Sequence, residues 1–461
     1  MRDFIVIAII LGSVPICFLN PYFGVLMWNW VAIFNPHRFT WGFAYHFPVA
    51  TVVALPTLAG MIFTRKINHR IFTRESILLL LLWVWFAVTI FHATTVPMFS
   101  EHITAGTAEL VRVSKVLLMT FVTILLVTSK NRLRWLFLVI GLSIGLLAVK
   151  GALFGLRTGG ESRVWGPPDS FIADNNDLAL ATNMALPLLF FLAAEEKRRW
   201  LRIGLRLIFV AGLICVILSY SRGGLLGLAI VLSALAIKSK HKLLTAAFVV
   251  VCGFLVFSYA PEKWMDRMSN FYHGNLDTSA EGRIGAWHFA VALAHQYPLT
   301  GGGFQTFTPD LFERITPETR FAGPHSIYFQ MLGEQGYVGL TLFLLLLGGC
   351  WFSLRRMAKY GRHFPELHWV VPYAHMLQAS ILAYMVSGAF LPRAYFDFFY
   401  TLVAAVIAMK IIFQREVALL SVAKQERNAA MELPEAGAPS IASEDGDTAR
   451  WAREGAGSSI L

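Results

Sequence analysis

Charge is what this chain has least of. Lys, Arg, Asp and Glu together make up 15% of its 461 residues, against 56% hydrophobic residues and a mean hydropathy of +0.59. Soluble domains average about 25% charged residues, so a soluble enzyme of this length is excluded. Cysteine is nearly as scarce. Cys17, Cys215, Cys252 and Cys350 all lie inside apolar runs and none has a C-x-x-C spacing, so neither a disulfide framework nor a zinc site is expected. Phosphate-binding motifs are missing as well: there is no G-x-x-x-x-G-K-[ST] loop and no G-x-G-x-x-G after a strand, which leaves ATP-driven transport without an engine. "TGGGF" at 300–304 reads only as a flexible glycine turn, and no internal repeat is visible.

What is abundant is long apolar runs. They recur to about residue 413, each able to cross roughly 30 Å of hydrocarbon, and backbone hydrogen bonding in lipid forces them to be helices. The predicted fold is an all-α polytopic membrane protein with about 12 transmembrane helices and a large helical outer loop. The net charge of +11 belongs to the positive-inside bias rather than to nucleic-acid binding. Basic clusters at 65–74, 129–134, 197–206, 238–242 and 355–363 are placed in the cytoplasm. The outer connections are then near 94–105, 157–176, 220–223, 261–324 and 391–396.

Five segments follow from this reading. Residues 1–45 are an N-terminal membrane segment, holding one kinked span or two short ones broken near "NPYFG"; the count of spans assumes one, with the N-terminus inside. Its start resembles a signal peptide without a small-x-small cleavage site and is taken as retained. Residues 46–260 carry transmembrane helices, 261–324 the long outer loop, 325–413 the last spans, and 414–461 a cytoplasmic, largely disordered tail. The D-x-D of that tail, Asp445 and Asp447, reads as solvated rather than metal-binding.

Arginine on the outer side runs against the positive-inside bias and invites a functional account. Arg222 in "SYSRGGLLGL" sits where two apolar helices meet with almost no loop, either lining a cavity or snorkelling to headgroups. Ser279 to about His295 predicts a helix outside the bilayer with a stripe of Ala286, Phe289, Ala290, Leu293 and Ala294. Arg283 is placed in its first turn, where a cation opposes the helix dipole, pointing either to an anionic ligand or to a pairing with Glu281 or Asp277. His288 and His295 read as interfacial residues.

Pro324 at a first helical position makes His325 a first-turn residue of the next span. The positive helix end keeps the imidazole neutral there, fit to act as a general base, and attracts phosphate oxygens. Glu334 lies about 13 Å deeper on the opposite face, as a functional carboxylate or, preferred, a buried partner of a basic side chain. Arg112, Lys115, Lys150, Arg157 and Arg163 at outer helix ends add up to an electropositive cavity suited to a lipid-linked pyrophosphate. Asp169, Asp174 and Asp177 in "PPDSFIADNND" leave a cation site open.

"SYSRGGLLGL", "RIGAWHFAVALAHQYPLTGGGFQTF" and "HSIYFQMLGEQGYVGL" resemble, in order and spacing, the core of the O-antigen ligase and polymerase superfamily of bacterial membrane glycosyltransferases. "MRDFIVIAIILGSVP", "NPHRFTWGFA" and "VRVSKVLLMTFV" look like its branch of exosortase-associated O-glycosylation ligases. The resemblance implies a GT-C-like fold in the bacterial inner membrane and, at a periplasmic site, glycan transfer from an undecaprenyl pyrophosphate carrier. Arg222 and Arg283 would bind the pyrophosphate and His325 would be the base. Lys115, Arg157, Arg163 and Glu334 would be substrate-binding or structural, with no metal and no cofactor. The implied partners are the carrier-linked donor, a lipid A core acceptor and membrane lipids, but no nucleic acid. A protein acceptor, a growing glycan, or transport of the carrier lipid are the alternatives.

Overall fold

In the computed structural model, residues 1–238 and 278–432 are described. Among them there is no strand, and the helices are α1 (Arg2–Leu19), α2 (Pro21–Phe34), α3 (Val49–Phe63), α4 (Arg74–Thr95), α5 (Ile103–Leu126), α6 (Lys130–Arg157), α7 (Asn175–Glu195), α8 (Arg199–Leu218), α9 (Arg222–Lys238), α10 (Thr278–Gln296), α11 (Pro309–Ile315), α12 (Ile327–Gly361), α13 (Val370–Ser387) and α14 (Asp397–Glu432). Six of these, α1, α4, α6, α7, α8 and α12, are long and apolar enough to cross a membrane. Starts are written in the sequence: Thr73 and Ser76 close a capping box on α4, Ser129 caps α6, and Asp174 caps α7. The centre of the bundle is α7, 89% buried over its span and packed by α6, α8, α9 and α13.

The two ends of the bundle differ in chemistry. At one, the Asn68 side chain donates to the Ile124 and Val127 carbonyls at 2.7 and 3.0 Å, Arg134 pairs with Glu196, and the fully buried Glu75 takes Lys410 at 2.7 Å and Ser353 at 2.6 Å. The clusters 65–74, 129–134, 197–206 and 355–363 therefore share this end, as the charge pattern requires. The cluster 238–242 lies outside the described residues except for Lys238, and so do Cys252, the span and loop expected across 243–277, Asp445 and Asp447.

The N-terminal segment takes the second of its two expected forms, not the one assumed in counting spans. It forms two helices, because Asn20 precedes Pro21 and proline both disfavours helix at the residue before it and starts a new one. Tyr22 donates to the Arg132 carbonyl at 2.6 Å at the basic end. Asp3 instead accepts from the Gly42 and Ala44 amides at 3.0 and 3.1 Å, beside Tyr45, whose hydroxyl meets Asp169 on the far connection. The N-terminus thus sits at the end opposite the basic clusters, which corrects its placement inside. At the other terminus α14 runs on past 413 to Glu432.

The glycine turn at 300–304 is also not what the sequence suggested. It is stitched into a break in α12 at Gly336, where φ is 65° and ψ −170°. Gly302 and Gly303 donate to the Gly333 and Glu334 carbonyls at 2.9 Å, and Tyr337 donates to Pro298 at 2.8 Å. A Cβ on Gly336 would collide with the Leu299 carbonyl, so the glycines serve close backbone approach rather than flexibility.

Candidate functional site

The end opposite the basic clusters gathers α10, α11, the 219–221 turn and the connection 387–396. In α10 the predicted stripe is the buried face: Ala286, Phe289, Ala290, Leu293 and Ala294 are fully buried, and Phe289 stacks on Phe312 at 4.1 Å. His288 and His295 face outward. Trp287, on the neighbouring face, donates its indole N–H to the Pro324 carbonyl at 3.2 Å and stacks on Phe329 at 4.9 Å. Arg283 precedes Trp287 by one turn and shares its face, which brings the guanidinium toward His325. Arg283 is the sixth residue of α10 and so lies in the second turn, not the first; the dipole misfit read from the sequence is correspondingly weaker.

His325 is likewise displaced from its expected place. The helix starts at Ile327, Ser326 is its cap and accepts from the Tyr328 amide at 3.3 Å, and His325 stands before it with φ at 42°. The anchored Pro324 carbonyl and the cap hold this uncommon left-handed geometry from both sides. The ring is half-buried. Burial pushes its pKa below the ordinary 6.5, the Arg283 charge pushes in the same direction, and Asp174 opposes them. Both of the first two causes favour the neutral imidazole, and they are burial and a neighbouring arginine rather than the helix end.

Arg222 opens α9 directly after a turn that α7 pins down: the Asn175 side chain donates to the Ser219 carbonyl at 2.7 Å, and Ser221 caps Gly224 at 3.0 Å. Arg222 is half-buried. Gly223 packs against Phe390, while Ile327, two residues after His325, packs against Gly388. Arg222 and His325 therefore flank one short segment, 388–390.

Other expected residues do not converge. Lys115 on α5, Arg157 at the end of α6 and Arg163 in the next connection are exposed on separate elements. Arg112 pairs with Glu109 and stacks on Phe171 at 4.4 Å, and Lys150 sits over Phe39 at 4.3 Å. Of the five cations, Arg112 and Lys150 are thus engaged by a carboxylate or a ring, while Lys115, Arg157 and Arg163 are exposed. Glu334 is buried, as expected, but its partners are not basic. It accepts from the Tyr395 hydroxyl at 2.7 Å, the Gln305 amide at 3.1 Å and the Gln330 side chain at 3.5 Å. The helix break aims it at the 303–305 loop instead of at a neighbouring cation.

The three aspartates also part company: Asp169 meets Tyr45 and Arg38, Asp174 caps α7 and accepts from the Asn176 amide at 2.8 Å, and Asp177 takes Arg393. Among the described residues no group of three or more His, Cys, Asp or Glu side chains is placed to hold a metal. Arg393 itself was missed by the sequence reading. Its signal was an arginine in the outer connection 391–396, the same violation of charge bias that singled out Arg222.

No curated protein matches this chain. Residues 1–197 match a family of unknown function, and residues 207–344 match the O-antigen ligase family. The second match spans Arg222, Arg283, His325 and the break in α12, so the site's geometry and the family assignment fall on the same residues. Residues 207–344 of this chain thus carry an O-antigen ligase domain, in a bundle whose described residues include six helices long and apolar enough to cross a membrane.

Proposed function

We propose that the protein is an O-antigen ligase of lipopolysaccharide biosynthesis. It transfers a glycan from undecaprenyl pyrophosphate to a hydroxyl of the lipid A core, on the periplasmic side of the bacterial inner membrane, without metal or nucleotide. The observation that carries this reading is the imidazole of His325, kept neutral by burial beside Arg283, within the residues that match the O-antigen ligase family. The end bearing α10 faces the periplasm and the basic end the cytoplasm. The span total of about twelve and the GT-C-like arrangement belong to the same proposal.

The chemistry then follows from charge. A neutral imidazole nitrogen accepts the proton of the acceptor hydroxyl as its oxygen bonds to the sugar's anomeric carbon. The bond from that carbon to the pyrophosphate breaks, and negative charge grows on the leaving group. Guanidiniums neutralise phosphate charge with paired, charge-assisted hydrogen bonds, the role given to Arg222 and Arg283. Direct displacement of this kind inverts the anomeric centre.

The test is transfer in vitro with purified protein, an undecaprenyl pyrophosphate glycan, lipid A core and excess EDTA, alongside Arg222→Ala and His325→Ala. Glycan on lipid A core with wild type only is the expected result. Lengthening of carrier-bound glycan would instead make it a polymerase, transfer only to an added protein would make it a protein glycosylation ligase, and a strict need for divalent metal would remove the arginine mechanism.

A further inference from the structure

The segment 387–394, between α13 and α14, is a spacer between the two sides of the site. On one side Gly223 approaches Phe390, and Asn183 donates to the Gly224 carbonyl at 2.7 Å while contacting the Ser387 hydroxyl at 3.3 Å. On the other, Ile327 lies against Gly388, Tyr328 donates to the Met385 carbonyl at 3.0 Å, and Gln330 accepts from the Ala394 amide at 3.1 Å. The segment therefore touches both the helix that Arg222 opens and the helix that follows His325.

Its backbone makes two internal bonds, Leu391 to Gly388 at 3.1 Å and Arg393 to Leu391 at 3.0 Å, and the Tyr384 and Tyr400 hydroxyls donate to the Arg393 and Ala394 carbonyls at 2.9 and 3.2 Å. The charged tether is a side chain. Arg393 binds Asp177 through both carboxylate oxygens, Nε to Oδ1 at 2.7 Å and Nη2 to Oδ2. Asp177 is only 3% exposed, so breaking this pair would strand a buried charge. Planar two-point contact fixes orientation as well as distance.

The same turn of α7 reaches all three parts of the site. Asp174 acts on His325, Asn175 holds the turn before Arg222, and Asp177 holds the spacer.

We propose that Arg393 is a positioning residue: clamped by Asp177, it fixes the 387–394 segment and thereby the spacing between Arg222 and His325. The inference rests on the reading of those two residues as the chemical core. A misplacement of about 1 Å can cost about 100-fold in rate, so the effect on transfer is large although Arg393 touches no substrate in this role.

Two readouts test it. The first is the distance between spin labels at Leu226 and Phe321, both exposed, measured by pulsed electron spin resonance in a cysteine-substituted chain. The second is transfer to lipid A core, with rate and donor KM determined separately. Arg393→Gln should broaden or shift the distance distribution and lower the rate about 100-fold, with donor KM changed by no more than about threefold. Arg393→Lys, which keeps the charge but not the two-point geometry, should fall between, and it serves if the Gln variant fails to fold. An unchanged distance distribution overturns the proposal, whatever the rate does; a raised KM at unchanged distance would make Arg393 a substrate ligand instead. If wild type moves no glycan, the ligase reading fails by itself and the distance measurement still decides the spacer.

Discussion

Replacing Gly336 by alanine tests the stitched break in α12, and its size can be worked from three contributions. The backbone there, φ 65° and ψ −170°, lies in a region nearly exclusive to glycine, and an L-residue held in it costs about 1–3 kcal/mol. The new Cβ cannot coexist with the Leu299 carbonyl, so the 298–303 loop must move away. Three hydrogen bonds then go: Tyr337 to Pro298, Gly302 to Gly333 and Gly303 to Glu334. At about 1 kcal/mol each, the total loss is about 4–6 kcal/mol. For a chain of this size that lowers the melting midpoint by roughly 4–6 °C. Gly348→Ala is the control, since in the same helix its Cβ meets only the Phe352 ring at 4.0 Å. It should gain up to about 1 kcal/mol from helix propensity. The assay is heating of detergent-purified protein at one fixed rate, followed by tryptophan fluorescence and the monodisperse fraction. If Gly336→Ala melts with wild type, the glycine turn is the loose linker that the sequence suggested and the argument is wrong.

Further outcomes follow from the same contacts. Because folding lowers the His325 pKa, the stability it contributes is present above pH 6.5 and is lost as pH falls; the acid limb of transfer should lie below 6.5, rise toward it in Arg283→Gln and fall further in Asp174→Asn. A limb that ignores both substitutions would falsify the electrostatic account. Lys410→Met, which leaves the buried Glu75 with Ser353 and a longer Arg74 pairing at 3.6 Å, should cost about 3 kcal/mol in the same melting assay, and Glu75→Leu with Lys410→Met should recover most of it. Trp287→Phe removes the bond to Pro324 and should reduce transfer about tenfold or more while the protein stays folded; full activity would show that Trp287 does not hold His325.

The helix over Ser279 to His295 was legible because its apolar stripe is local, and every member of that stripe is buried. The tight turn before Arg222 was legible for a similar reason, since two apolar runs leave room for nothing else. The N-terminal hairpin was only half legible: Asn20-Pro21 marks a break, but whether the chain continues or reverses depends on Tyr22 and Asp3 finding Arg132 and Gly42. The helix start moved three residues, from Pro324 to Ile327, leaving His325 outside it: Ser326 became the cap, and the Pro324 carbonyl is held by Trp287, 37 residues away.

By itself the sequence determined the class of molecule, the shared end of the basic clusters, and the presence of arginines and a histidine at the opposite end. Those properties depend on hydropathy, charge bias and local capping, all of which act over a few residues. Only the tertiary structure decided which of the outer cations meet. Arg283 reaches His325 and Arg222 comes to the other side of the 388–390 segment, whereas Arg112 is taken by Glu109 and Arg393 by Asp177. Ion pairing is chosen by distance across helices, and distance across helices is set by packing that no single stretch of the chain contains.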